Sequence, residues 1–172
     1  MNPRVLLPRL VQTVRPSPLG PVLLAAGPQG LSGIWFVGQQ HFPDPADWTH
    51  DDAHPVLHEA HAQLTAYFEG DLQTFDLPLQ FVEGTPFQQA VWRALQNIPF
   101  GHTTTYGDIA QRIGNPQAVR AVGAAIGRNP WSVVVPCHRV VGANGSLTGY
   151  AGGLDRKEHL LALEARMNSP IR

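Results

Sequence analysis

One cysteine stands in this chain, Cys137, within the stretch VVVPCHRVVGANG (residues 133–145). Three valines and a proline lead into it, and His138 and Arg139 follow directly. A lone thiol among valines is ordinarily a small hydrophobe of a core. A core strand, however, rarely sets an imidazole and a guanidinium beside its thiol. A nucleophile needs that company, because basic neighbours favour the thiolate. The pattern predicts a thiolate at neutral pH, against about 8.5 for a free thiol's pKa. Neighbouring side chains in an extended segment face opposite ways, so His138 is expected to reach Cys137 through a bridging water. A carboxylate would fix the imidazole. Glu164 lies four residues after Leu160 and three after Leu161, on the apolar side of a helix predicted over 154–167. A carboxylate facing a core requires a partner, and His138 is the candidate. The alternative is Glu164 at the helix rim, bridged to an arginine. The relay therefore reads Cys137, water, His138, Glu164.

That constellation narrows the chemistry. No second cysteine is present to resolve a disulfide, which weakens a redox role. Acyl transfer calls for an oxyanion hole, of which the sequence gives no clear sign. Attack on an sp³ carbon needs only alignment and a leaving group stabilised by a donor. It leaves a thioether, which water does not hydrolyse, so the protein would be consumed after one turnover.

The elements that must position these residues follow from pattern. PVLLAAGPQGLSGIWFV (21–37) reads as a hairpin. HFPDPADWTHDDAHP (41–55) reads as an acidic surface loop. A helix is predicted from Val56 to Glu69, with Leu57, Ala60, Leu64, Tyr67 and Phe68 at helical spacing. TFDLPLQF (74–81) alternates like a strand, with Pro78 confining it to an edge. Thr85, Pro86 and Gln88 form a capping box that opens a helix whose buried stripe is Phe87, Val91, Leu95 and Ile98; Pro99 stops it. Tyr106 to Ile113 forms the next helix, ended by Gly114. Asn115 and Pro116 then open another, from Gln117 to about Gly127. Two short helices joined by a tight turn read as a helix-turn-helix. The second presents Ala118, Ala121, Gly123, Ala124 and Ala125 around Arg120. Such a bare surface fits tight helix packing, or shape and phosphate contacts in a narrow groove, better than base-edge readout. GANGSLTGYAGGLD (142–155) is a glycine-rich loop after the cysteine strand. It reads as a cover for a small pocket or as a plain connection.

Composition bounds the whole. The 172 residues, 43% hydrophobic, suit one large domain or two small ones sharing an interface. The boundary is expected just before Thr85, giving domains of 1–84 and 85–172. Residues 1–85 carry three Arg and nine Asp/Glu, net −6; residues 86–172 carry eight Arg, one Lys and four Asp/Glu, net +5. A basic half holding a nucleophile suggests a polyanionic partner. One cysteine excludes an intramolecular disulfide and a cysteine-rich zinc site, and fits a reducing compartment. Prolines at 3, 8, 16, 18 and 21 interrupt every N-terminal apolar run, so neither a signal peptide nor a membrane span is expected, and a cytoplasmic location is. His54, His58 and His61 fall at i, i+4 and i+7, but they flank the apolar stripe as solvated residues do, and no metal is expected.

The motif VPCHRV resembles the signature of the O6-alkylguanine-DNA alkyltransferases. TPFQQAVWRALQNIPFGHTTTYGDIA, NPQAVRAVGAAIGRNP and GYAGGLDRKEHLLALE are similar to the same family, almost continuously over 85–165. PLGPVLLAAGPQGLSGI and LTAYFEGDL match more loosely. The resemblance implies an N-terminal α/β domain with a small sheet and helix. It implies a mostly helical C-terminal domain with a helix-turn-helix and a short active-site strand. It implies single-turnover transfer of an alkyl group from O6-alkylguanine, and also O4-alkylthymine, in double-stranded DNA to Cys137, without a cofactor. Tyr106 resembles the residue that rotates the nucleotide and donates a proton to the departing guanine. Arg120 resembles the residue that fills the gap left by the flipped base, and Asn129 the one that joins recognition helix to active-site strand. Ala118, Ala121, Gly123, Thr105 and Arg128 would lie at the DNA minor groove. Val140, Tyr150, Ala151 and Gly152 would form the guanine pocket. Ala151 stands where some relatives have serine, which removes one hydroxyl contact. Cysteine ligands for zinc, present in some members, are missing here. A monomer is expected, with cooperative assembly on DNA left open. The rivals are a non-enzymatic protein that flags alkylated DNA, a cysteine hydrolase and a plain DNA-binding regulator. The first and last need no thiol at 137.

Overall fold

The fold opens on three antiparallel strands, the second and third cut from one apolar run by glycine and proline. The computed structural model describes residues 9–168. β1 (Val11–Arg15), β2 (Val22–Gly27) and β3 (Gly30–Phe36) form a meander, and the two-residue β4 (Thr49–His50) joins β1 in parallel, giving the order β3-β2-β1-β4. The predicted hairpin is β2–β3. α1 (Pro55–Phe68) packs over the sheet, burying Leu57, Ala60, Leu64 and Tyr67. The segment 74–81 is not a strand. Pro78 has no N–H to give a ladder, and the chain touches β3 at one bridge only: Leu31 N–H donates to Pro78 O (2.7 Å) and Gln80 N–H to Leu31 O (2.8 Å).

α2 (Pro86–Leu95) starts as the sequence dictates. The Thr85 hydroxyl accepts from Gln88 N–H, and the Gln88 side chain accepts from Thr85 N–H. Val91, Leu95 and Ile98 are buried, whereas Phe87 is only half-buried and Trp92 takes its place in the core. β5 (Thr104–Thr105), α3 (Tyr106–Arg112) and α4 (Val119–Gly127) follow. α4 does not open at Asn115–Pro116. Gly114 turns the chain at φ +77°, residues 115–118 close a separate turn through Ala118 N–H to Asn115 O (3.0 Å), and Ala118 sits at the helix start without a side-chain cap. α2, α3 and α4 pack on one another, and Trp92 Nε1 donates to Ala125 O at 2.8 Å.

The segment before the cysteine is not extended. Val133 adopts φ +71°, a costly conformation for a β-branched residue. Cys137–Arg139 form a 3-10 turn, and only Val140–Val141 (β6) pair, in parallel with β5. Side-chain hydrogen bonds, described below, override the strand preference of the valines. α5 (Leu154–Asn168) closes the fold. Its buried positions are Lys157, Leu160, Leu163 and Glu164; Leu161, expected on that face, is half-buried, and Leu154 at the helix start is exposed. The two halves share one apolar cluster. β3 receives residues 130–132 along its free edge: Ile34 N–H donates to Pro130 O, Ser132 N–H to Ile34 O, and Trp131 Nε1 to Leu31 O (2.9 Å). No helix among the described residues is long and apolar enough to cross a membrane.

Candidate active site

Asn129 builds the bend that carries the thiol. Its Oδ1 accepts from Trp131 N–H (3.0 Å), and its Nδ2 donates to Trp131 O (3.3 Å) and Val135 O (2.8 Å). These bonds fold the chain between α4 and Cys137 into a compact turn. Cys137 is 5% exposed, and its N–H donates to Val135 O. Burial pushes the Cys137 thiol up, while Asn129 and the Lys157 ammonium favour the thiolate less strongly. This corrects the sequence expectation. Basic neighbours do not outweigh the loss of hydration, so the resting group is a neutral thiol.

His138, on the same turn, is completely buried. Its Nε2 lies 2.7 Å from Glu164 Oε2, the pair read from helical spacing. The expected alternative for Glu164 holds as well: Arg139 binds the carboxylate through Nε (2.8 Å) and Nη2 (3.1 Å), though in the core rather than at a rim. Gly101 N–H (3.2 Å) and the Tyr67 hydroxyl (2.6 Å) complete its shell. Burial raises the Glu164 carboxyl, but His138, Arg139 and Tyr67 together hold it far below the carboxylate range. An ionised carboxylate only accepts, so Nε2 of His138 carries the proton and Nδ1 keeps a lone pair. Nδ1 is buried and has no hydrogen-bond partner among the described residues. Burial, aided by Arg139 and Lys157, pulls the imidazole below its usual pKa despite Glu164, so it is neutral at pH 7. The arrangement is a buried neutral base held in one tautomer beside a buried neutral thiol.

A cleft of about 560 Å³ brings together Tyr106, Gly123, Arg128, Tyr150 and Ala151 of the expected residues, with His41 from the N-terminal half. Gly123 faces Tyr106: a Cβ there would meet its ring at 3.8 Å. The Tyr106 hydroxyl accepts from Thr148 Oγ1 at 2.9 Å, and Ala151 O accepts from Gln40 N–H at 3.0 Å. The Tyr150 hydroxyl is buried, with no hydrogen bond within normal distance among the described residues, and burial followed by the nearby Cys137 raises its pKa. Val140 is buried with its carbonyl turned to Lys157, and Gly152 lies under the Tyr150 ring, where a Cβ would come within 2.7 Å.

Other expected positions lie outside the cleft. Arg120 and Ala121 are exposed on α4, and Ala118 is half-buried at its start. Thr105 caps α3, its Oγ1 accepting from Asp108 N–H. Sequence reasoning assigned nothing to Tyr67 or Lys157. Lys157 carried a signal, since it lies three residues before Leu160 and seven before Glu164, on the buried side. Tyr67 carried none beyond its place in an apolar stripe. No group of three or more metal-ligating side chains is found among the described residues.

Comparison with known proteins gives a consistent result. The family model described as 6-O-methylguanine DNA methyltransferase, ribonuclease-like domain, matches residues 10–81, and that of the DNA binding domain matches 86–166. A methylated-DNA–protein-cysteine methyltransferase of Methanosarcina acetivorans is 54% identical over 149 residues, 86% of this chain and 94% of that protein. Its namesake in Mycolicibacterium paratuberculosis is 51% identical over 150 residues, 87% and 89% of the two chains. The crystal structure of the Mycobacterium tuberculosis O6-methylguanine methyltransferase aligns with a TM-score of 0.84 at 45% identity, covering 95% of this chain and 96% of that one. The M. tuberculosis OGT in complex with DNA aligns at 0.86 and 46%, covering 91% and 94%.

Proposed function

Because the chain belongs to the 6-O-methylguanine DNA methyltransferase family, we propose that it repairs alkylated DNA by direct reversal, with Cys137 taking the alkyl group once and irreversibly. The substrate is O6-alkylguanine, and O4-alkylthymine, in double-stranded DNA. Residues 85–172 form the DNA-binding and acceptor domain. α4 enters the minor groove, with Arg120 filling the space of the flipped nucleotide and Thr105, Ala118, Ala121, Gly123 and Arg128 along the backbone. Extrusion of the base is required because O6 cannot be reached by a buried thiol inside a stacked duplex. Val140, Tyr150, Ala151 and Gly152 surround the guanine. The protein works as a monomer in the cytoplasm, at the DNA.

Sγ attacks the alkyl carbon as the carbon–O6 bond breaks. The thiol proton passes through a water to His138 Nδ1, while Nε2–H stays on Glu164 and supports the imidazolium. Tyr106 supplies a proton to the departing guanine. The observation that carries this reading is the His138–Glu164 pair, which leaves a single lone pair on the turn that bears the thiol. A neutral resting thiol makes proton removal part of the transfer rather than a preliminary to it.

Stoichiometry tests the proposal. Incubation with an oligonucleotide containing O6-methylguanine should add one methyl group per protein, on the Cys137 peptide, and restore guanine. Cys137→Ala should abolish transfer and spare DNA binding. Many repairs per molecule, or full output from the alanine variant, would overturn it, the second in favour of a protein that only flags lesions.

A further inference from the structure

The N-terminal half reaches the relay through one oxygen atom. Tyr67, in the last turn of α1, is fully buried and donates its hydroxyl to Glu164 Oε2 at 2.6 Å. That same oxygen takes His138 Nε2 at 2.7 Å and Arg139 Nη2 at 3.1 Å; Arg139 Nε and Gly101 N–H occupy the other. A carboxylate offers about four lone-pair sites, so phenol and imidazole compete for density on one atom. Packing alone does not require the hydroxyl. The ring sits among Phe68, Phe75 and Phe100, with centres 5.3, 5.4 and 6.1 Å away, where a phenylalanine would fit equally well. Burial, then the charge of Glu164, keeps the phenol protonated, so it acts only as a donor.

We propose that Tyr67 is a positioning residue for alkyl transfer: by sharing Glu164 Oε2 with His138 it limits the pull on Nε2–H and so sets the proton affinity of Nδ1. The proposal rests on the reading of Cys137 as the alkyl acceptor. Several groups act on His138. Cys137 and Arg139 share its turn, Glu164 and Lys157 face it from α5, Tyr67 joins from α1 through the carboxylate, and Tyr150 couples to Cys137 and Glu164. Glu164 favours the imidazolium, and Arg139 and Lys157 oppose it. Tyr67 acts on the opposing side, because a donor to the carboxylate spreads the charge that would stabilise His138 in its protonated form. The N-terminal half thereby adjusts a base that belongs to the other half.

Two full-length variants test this: Tyr67→Phe, and a protein carrying 3-fluorotyrosine at position 67, a more acidic phenol in the same packing. The readouts are the His138 titration by NMR on labelled histidine, the pH dependence of single-turnover transfer from free O6-benzylguanine, and thermal unfolding. Tyr67→Phe should raise the His138 pKa by about half a unit and move the acid limb of the rate upward with it, a roughly threefold loss of rate below that limb. The fluorinated phenol should move both downward. If neither variant moves the titration or the limb, and only the unfolding temperature changes, Tyr67 merely packs and the proposal fails. A wild-type protein that accepts no alkyl group would overturn the reading of Cys137 instead, and the NMR titration would still judge Tyr67.

Discussion

Lys157 Nζ donates to the carbonyl oxygens of Val140 (2.6 Å) and Thr148 (2.8 Å) from a completely buried position. It therefore joins the strand after Cys137 to the loop that lines the cleft. Burial lowers the ammonium pKa, and the neighbouring Cys137 partly restores it. Lys157→Met would leave both carbonyls without their donor, and should cost about 1–3 kcal/mol in urea unfolding. Amide exchange over residues 143–153 should rise in the same variant. Arginine should not rescue it, because a planar fork cannot replace a compact ammonium between two carbonyls.

Removing the charge of Glu164 should be more damaging. Glu164→Gln strips a buried anion from Arg139 and His138 and leaves the guanidinium uncompensated. A loss of about 3–5 kcal/mol is expected for a broken buried pair. It would appear as a lower urea midpoint, and alkyl transfer would fall with it.

The same carboxylate fixes the sign of the acid response. Its folded pKa lies below the unfolded value, so its contribution is complete above about pH 4.3. It is lost as the pH falls from there through the folded value. His138 adds to this, because its folded pKa is also lowered: the unfolded chain takes up a proton below about pH 6.5 before the folded one does. Stability measured by denaturant should thus rise with pH up to about 6.5 and then level as far as about pH 8.5, where the unfolded Cys137 thiol ionises before the folded one. A maximum at pH 4–5 would contradict the assignment of His138.

Arg120 is exposed on α4, away from the buried relay. Arg120→Ala should weaken duplex repair by about 1–3 kcal/mol while leaving transfer from free O6-benzylguanine unchanged. Equal loss on both substrates would place it in the chemistry rather than at the DNA.

Local rules were enough for the hairpin at 21–37, the Thr85–Gln88 capping box and the pairing of His138 with Glu164, since each is set by residues a few positions apart or by a buried charge that demands a partner. Longer-range bonds defeated the reading elsewhere. Val133 to Val135 have strand preferences, yet the Asn129 side chain and the β3 edge bend them into a turn. Residues 115–118 contain a good cap and a good first-turn proline, but Gly114 sends the chain round before a helix can begin. Tyr67 meets Glu164 across 97 positions, a contact that no periodicity announces. The protonation of Cys137 departs from the sequence expectation for a related reason: charge composition is visible in the sequence, and dehydration is not.

The concealment of Cys137 has a protective side. A single-use reagent is wasted whenever something other than its target reacts with it. Peroxides and mixed disulfides attack exposed thiolates far faster than buried thiols, and Cys137 is buried with its thiol protonated between encounters. The fold thus lengthens the waiting life of a warhead that cannot be recharged.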